Sequence, residues 1–268
     1  MIYIATKCNF GPQTKPIFMK TVAFLLLFIT CFYSQSQILN AESLRKVTDT
    51  SGFSGAASLN FALKRNVNDF TTISSKIHVQ YKMNKHLVLF KNDIDFQKVE
   101  NAKLENSGIQ HLRYNYHLSP RIAMEIFAQA QYNKVNLIDF RGLLGAGPRF
   151  KLSRSENYKF YLGTLIMYEH EKTSDGFTHV QDDFRGSTYL SFSLYPVENI
   201  SIVSTTYYQP LLSQVSDYRI SSQSSLVVSL FKNFALNTSY TFVYDAVPAI
   251  GIPNSQYDFS TGLTYSFD

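Results

Sequence analysis

The chain has 268 residues with a formal net charge of +5, and its side chains are 17% charged and 15% aromatic, with 22 Phe, 18 Tyr and no Trp. That apolar content suffices for an ordered structure and excludes a disordered chain. Much of the basicity sits at the N-terminus: loss of residues 1–36 removes Lys7, Lys15 and Lys20 and no acid, which lowers the charge to about +2 and leaves no argument for a nucleic-acid partner.

In chain order, residues 1–18 read as a non-native extension and residues 19–36 as a signal peptide. Met19 and Lys20 supply a start and a charged first region, and the apolar run "TVAFLLLFITCFY", Thr21 to Tyr33, is short for a spanning helix of about 20 residues. Ser34 and Ser36 stand as the small residues of a cleavage site before Gln37. Cys31 is a poor lipidation candidate, because Thr30 and Phe28 do not suit a lipoprotein box. Cys8 and Cys31 both lie in the segment expected to be removed, so disulfides, thiolate metal sites and cysteine nucleophiles are excluded together. Residues 37–51 read as a periplasmic N-terminal segment.

From Gly52 onward the sequence alternates apolar and polar residues in about twelve segments of strand length. Their expected extents are 52–64, 70–82, 86–97, 107–118, 121–132, 139–152, 157–170, 183–195, 199–209, 217–231, 233–245 and 256–268. In the last, Tyr257, Phe259, Thr261, Leu263, Tyr265 and Phe267 oppose Asp258, Ser260, Gly262, Thr264, Ser266 and Asp268. A soluble sandwich or a lipocalin-like binding protein would also alternate, so the connections decide. Short links at Met83–Lys85, Ser119–Pro120, Ser153–Glu156, Pro196–Glu198 and Lys232 alternate with longer ones at Val99–Asn106, Asn133–Ile138, Glu171–Asp182, Pro210–Ser216 and Ala246–Ser255. Only the first hairpin, Asn66–Asp69, breaks the scheme. This asymmetry predicts an all-β fold, a closed up-and-down antiparallel transmembrane β-barrel over residues 52–268, with tight periplasmic turns and longer outer loops. Closure follows because hydrocarbon offers no partner for an open sheet edge.

Traced alternately up and down, the strands place Tyr81, Tyr116, Phe150, Tyr158, Phe234 and Phe267 at the periplasmic rim. Phe61, Phe96, Tyr132, Phe140, Tyr168, Phe184, Tyr208, Tyr244 and Tyr257 fall at the outer rim, so the aromatics form two girdles. The other parity, facing the lumen, carries Lys76, Lys91, Asp93, Asp95, Arg113, Glu125, Arg141, Arg149, Lys151, Glu169, Arg185, Arg219, Asp245 and Asp258, with Lys64, His78, Lys82, His111, His117 and Lys159. As a functional set these residues form a cation-rich track for a small anionic solute; the plainer and favoured account is that confined charges pair with one another. Asp93 and Asp95, about 7 Å apart on one face, suit Arg113 or Lys76.

Other constellations are weaker. The outer stretch His170–Gly186 gathers His170, Glu171, Asp175, His179, Asp182 and Asp183, yet has no regular ligand loop and no H-E-x-x-H spacing, so no metal and no cofactor are expected. A lipid hydrolase or acyltransferase needs a nucleophile and a base within about 3 Å; His170 with Ser187 or Thr188 is the only contrivable pair, and no nucleophile motif accompanies it. "LLGAG" lacks the Gly-Lys-Ser of a phosphate loop, and "NTS" at Asn237 falls in a membrane strand.

Three stretches carry a family resemblance: "GFSGAASLNFALKRN" at Gly52–Asn66, "RYNYHLSPRIAMEIFAQAQYNKVNLI" at Arg113–Ile138, and "FRGLLGAGPRFKL" at Phe140–Leu152. Their small-residue first strand, Tyr-rich middle strands and Gly-x-Gly-x-Arg strand resemble the bacterial family called domain of unknown function 481, described as salt-induced outer-membrane proteins, in a Bacteroidota-type form. The resemblance covers about residues 50–268 and brings no catalytic residues with it. It implies an outer-membrane location, contact with outer-membrane lipid and lipopolysaccharide, and insertion by the barrel assembly machinery. In one departure, Asp268 follows Phe267 where such barrels end on an aromatic. The expected function is a narrow or plugged pore, or a structural or envelope-stress barrel; the alternative class is a lipid-modifying enzyme.

Overall fold

The computed structural model describes residues 51–65, 69–99, 105–134, 136–155, 158–177 and 180–267. The expected extension, signal and periplasmic segment within residues 1–50, the first hairpin tip, His179 and Asp268 therefore lie outside the described residues, as do the side chains of Phe61, Lys64, Asp258 and Phe267.

Twelve strands follow one another: β1 (Gly52–Arg65), β2 (Asp69–Met83), β3 (His86–Val99), β4 (Glu105–His117), β5 (Ile122–Asn133), β6 (Ile138–Lys151), β7 (Tyr158–Thr173), β8 (Gln181–Val197), β9 (Ile200–Pro210), β10 (Tyr218–Phe231), β11 (Phe234–Asp245) and β12 (Ser255–Phe267). Each pairs antiparallel with the next, and β1 meets β12 to close the barrel. Every boundary lies within three residues of the extent expected from alternation, because a one-residue slip would turn every apolar side chain to the wrong face.

The connections differ more. β7 and β8 continue their ladder through Glu171↔Gln181, so the outer loop is confined to 174–180 instead of spanning Glu171–Asp182. At the opposite end the connection from Lys151 to Tyr158 is longer than the expected short link, and it breaks the alternation of lengths. The two-residue turns at 84–85 and 232–233 hold Asn84 and Asn233 at φ of 51° and 70°, where Asn is tolerated better than most residues.

The outward parity is apolar: Ile77, Val88, Phe90, Leu112, Ile126, Leu144, Ile166, Leu190, Leu226 and Leu263 are all exposed. An exception is the amide pair on β3 and β4, where Gln110 Nε2 donates to Asn92 Oδ1 at 3.0 Å. Near the outer ends, Tyr168 meets Phe184, and Tyr218 lies between Tyr208 and Tyr244; near the other ends, Phe53 meets Tyr81 and Phe234 lies between Phe231 and Tyr265. Tyr81, Tyr158, Phe96, Phe140 and Tyr257 are exposed, and Tyr116, Tyr132 and Phe150 are half-buried.

β6 is the strand of mixed character. Its ladder to β7 lapses between Ala146↔Ile166 and Arg149↔Gly163 without a change of register. Pro148 has no N–H to donate there. Beside it β7 comes so close that a Cβ on Gly147 would lie 2.2 Å from Thr164 O.

Candidate functional site

Most of the long buried side chains of the inward parity lie on β2–β9, joined by Arg219 on β10, and several cross the lumen as chords instead of pairing with the adjacent strand. In the outer half, Arg219 on β10 reaches past two strands to Glu169 on β7, donating from Nη1 at 2.7 and 2.8 Å. Arg219 also donates to Asp245 on β11 at 2.8 Å and to Glu171 at 3.2 Å. Arg185 on β8 donates to Glu169 at 3.3 Å and to Asp217 at 2.9 Å. Arg141 Nε completes the set by donating to Glu171. Three guanidiniums thus share Glu169, Glu171, Asp217 and Asp245, and the side chain of Glu169 is 1% exposed. Charges so deeply enclosed persist only when paired and hydrogen-bonded.

Below this lattice lies an apolar and aromatic layer. Phe127, Leu165, Met167, Tyr189 and Tyr207 pack together inside the barrel, with Leu143 against them. Glycines make room for the rings: a Cβ on Gly163 would be 2.1 Å from the Tyr189 ring, and one on Gly145 would be 2.5 Å from the Phe127 ring. Tyr189 and Tyr207 lie 5.2 Å apart between ring centres, and His111 stacks on Phe127 at 5.4 Å. His111 Nδ1 hydrogen-bonds Gln129 at 2.9 Å, and Gln129 donates to Gln131 at 2.7 Å.

A second charged group lies on the other side of the layer, toward the turns at 84–85 and 118–121. Glu125 on β5 accepts from Tyr189 Oη at 2.5 Å, a chord from β8, and from Arg149 at 3.2 Å. Arg113 stands 3.8 Å from Glu125 and over the Tyr189 ring at 5.9 Å. Arg149 lies over the Tyr161 ring at 3.9 Å. Lys91 and Asp93 pair along one strand at 3.3 Å, so the partner of Asp93 is Lys91 and not Arg113. Lys76, Asp95 and Lys151 face inward and are half-buried. The opposite wall carries small buried residues, among them Ser54, Ala56, Ser225, Ala235, Ser239 and Thr264.

Two cavities flank the lattice. One of about 40 Å³ lies among His111, Arg113, Phe127, Gln129, Tyr189 and Tyr207. The other, about 50 Å³, opens under the β11–β12 loop between Arg141, Glu171, Asp245, Val247 and Ile252. Arg141 and Arg219 line both and stand between them.

The pair that could have served hydrolysis is not assembled. Ser187 is buried inside the barrel, while His170 shares a hydrogen bond with Asp182 at 2.7 Å and contacts Phe140 on the outer face. Thr188 shares the outer face, but it is in register with Thr164, six residues along β7 from His170, which is about 20 Å at strand rise. Among the described residues no group of three His, Cys, Asp or Glu could hold a metal ion.

The reading from sequence missed the interior rings and Asp217. Parity already carried the signal for the rings, since Phe127 shares its face with Glu125, and Tyr189 shares its face with Arg185. Asp217 stood at the start of the expected segment 217–231 on the parity of Arg219, which was its signal; the structure puts it one residue before β10, where it accepts from Arg185.

Residues 48–267 match the profile of a family described as protein of unknown function, DUF481. No curated protein matches the chain. Among solved structures, the NanC porin in a rhombohedral crystal form aligns with a TM-score of 0.51 at 7% identity, over 81% of this chain and 100% of that one. The KdgM porin aligns at 0.44 and 10% identity, over 80% and 99% of the two chains. The translocator domain of the autotransporter NalP from Neisseria meningitidis aligns at 0.46 and 9%, over 81% and 89%. At 7% identity the first of these likenesses shows a shared barrel fold and nothing of what the chain carries.

Proposed function

The chain belongs to the family described as protein of unknown function, DUF481, and from that premise we propose that it is an outer-membrane barrel occluded in this conformation, a plugged narrow pore. A signal peptide at residues 19–36 would export it. The observation that carries the reading is the set of chords: Arg219 to Glu169 in one cluster, and Tyr189 to Glu125 with Arg113 over the same Tyr189 ring in another, cross the lumen. Twelve strands enclose more than side chains of ordinary size fill, so long side chains reaching past two strands are an economical way to close the interior. The cavity beside them, about 40 Å³, has room for a few waters and no solute.

Pairing also bears on selectivity. Arg141, Arg185 and Arg219 all face carboxylates, which supports a locked lattice over an open track for anions. The separation of His170 from Ser187 and Thr188 supports a non-enzymatic barrel.

Planar-bilayer conductance of the purified mature protein tests the proposal. The expected result is a silent or rarely opening barrel that gains discrete steps in a Phe127→Ala, Tyr189→Ala double variant, with Tyr189→Phe remaining closed. Sustained conductance of the unaltered protein would refute occlusion. A double variant that folds and stays silent would favour the structural barrel.

A further inference from the structure

We propose that the periplasmic rim of β2–β7 binds the phosphate of anionic phospholipid headgroups in the inner leaflet; this rests on the outer-membrane reading above. Three successive turns there repeat one pattern. Each places an exposed apolar residue at the lower edge of the outward face and an exposed cation two or three residues on: Met83 then Lys85, Leu118 then Arg121, Leu152 then Arg154. Met83, Leu118 and Leu152 are 48%, 53% and 55% exposed, which suits the lower border of the hydrocarbon belt. Interfacial aromatics fix the same level, since Tyr81 and Tyr158 are exposed on β2 and β7, and His86 hydrogen-bonds Tyr114 and contacts Tyr116. Cations just beyond an aromatic girdle stand where headgroup phosphates lie.

Backbone contacts hold the turns in a row. His117 N donates to Lys85 O at 2.9 Å, and Lys151 N donates to Arg121 O at 2.7 Å. Ser119 Oγ accepts from Arg121 N at 3.3 Å and Ile122 N at 3.1 Å. Lys85 and Arg121 therefore sit on fixed turns, and Arg154 follows Ser153, whose Oγ accepts from Phe160 N at 3.1 Å; successive turns lie two strands, roughly 10 Å, apart. None of Lys85, Arg121 and Arg154 makes an ion pair among the described residues. Residues 82–86, 117–122 and 151–155 contain no carboxylate, although Glu156, outside the described residues, follows in sequence. The outer ends differ, with Asp139, Asp182, Asp217 and Asp245 each paired or hydrogen-bonded. An unpaired cationic arc bordered by apolar residues fits a lipid surface better than the acidic face of a soluble protein, which would leave Met83, Leu118 and Leu152 exposed.

The test uses the mature barrel folded into neutral phosphatidylcholine vesicles, with and without phosphatidylglycerol, followed by native mass spectrometry of retained lipid. Phosphatidylglycerol should be enriched over its vesicle fraction, and each of Lys85→Gln, Arg121→Gln and Arg154→Gln should lower the enrichment on the order of fivefold. Lys172→Gln at the outer rim should leave it unchanged, and raised salt should weaken it. Equal retention in a triple variant would overturn the proposal, as would displacement of lipid by millimolar inorganic phosphate, which would mark a free-phosphate site, or a preference for an acidic peptide over the vesicle. A barrel that inserts into neutral vesicles but shows no preference for anionic lipid defeats this inference alone; failure to insert into either bilayer defeats the outer-membrane reading with it.

Discussion

Glu169 is the residue on which the outer lattice turns. It accepts from Arg219 through both carboxylate oxygens and from Arg185 through one, at 1% side-chain exposure. Replacing it by Gln keeps the shape and removes the charge, which leaves two enclosed guanidiniums short of a partner. Breaking a buried pair costs about 3–5 kcal/mol, and the lower end applies because Glu171, Asp217 and Asp245 still hold the two arginines. Glu169→Gln should therefore lower barrel stability by about 3 kcal/mol, read as a lower temperature at which the compact band converts to the unfolded one on a gel. An unchanged transition would mean that the lattice is hydrated and loosely held. Asp95, half-buried on β3, provides the comparison, and its replacement by Asn should cost much less.

Among the strands, β6 and β7 show what alternation can and cannot convey. Parity in "FRGLLGAGPRFKL" turns Arg141, Gly145, Gly147, Arg149 and Lys151 inward, and that much follows from a period of two. Partner choice is another matter. Arg219 lies beyond two intervening strands from Glu169, and nothing local to either strand encodes that separation. Glycines were visible as residues, but their purpose depends on what leans on them, Tyr189 on Gly163 and Phe127 on Gly145. Strand ends were blurred for a similar reason: His170–Thr173 and Gln181–Asp183 are polar like a loop, yet they continue the ladder beyond the apolar belt. At Gly147 the obstacle is backbone, since an added Cβ would meet Thr164 O at 2.2 Å and Leu165 Cα at 2.6 Å. Gly147→Ala should force β6 from β7 and cost about 3 kcal/mol or abolish insertion. Gly186→Ala, where the nearest atoms are 3.6 Å away, should be tolerated; equal behaviour of the two in a urea-unfolding series would rule out the close approach.

For the molecule as a whole, closure is unevenly distributed around the circumference. β1 is held to β2 by an unbroken register from Gly52↔Lys82 to Arg65↔Asp69, whereas its pairing with β12 runs only from Gly55↔Phe267 to Ser58↔Thr264. At the seam β1 presents Gly55, Ala56, Ala57 and Ser58, which give cross-strand neighbours little to pack against. Around the rest of the circumference, β4–β11 are tied both by ladders and by the chords from Arg219, Tyr189 and Arg113. Local opening occurs where buried contacts are fewest, so the two sides of the barrel should separate in hydrogen exchange. Amides of β12 and the Gly55–Ser58 stretch should exchange first, and those of β7 and β8 last, approaching the global unfolding limit. Tyr189→Ala should bring the β7–β8 amides toward the seam's rates while leaving the seam unmoved, because the chord to Glu125 does not reach β1 or β12. Uniform protection around the barrel would show that the ladders alone set its rigidity, and the chords would then serve occlusion without contributing to the wall.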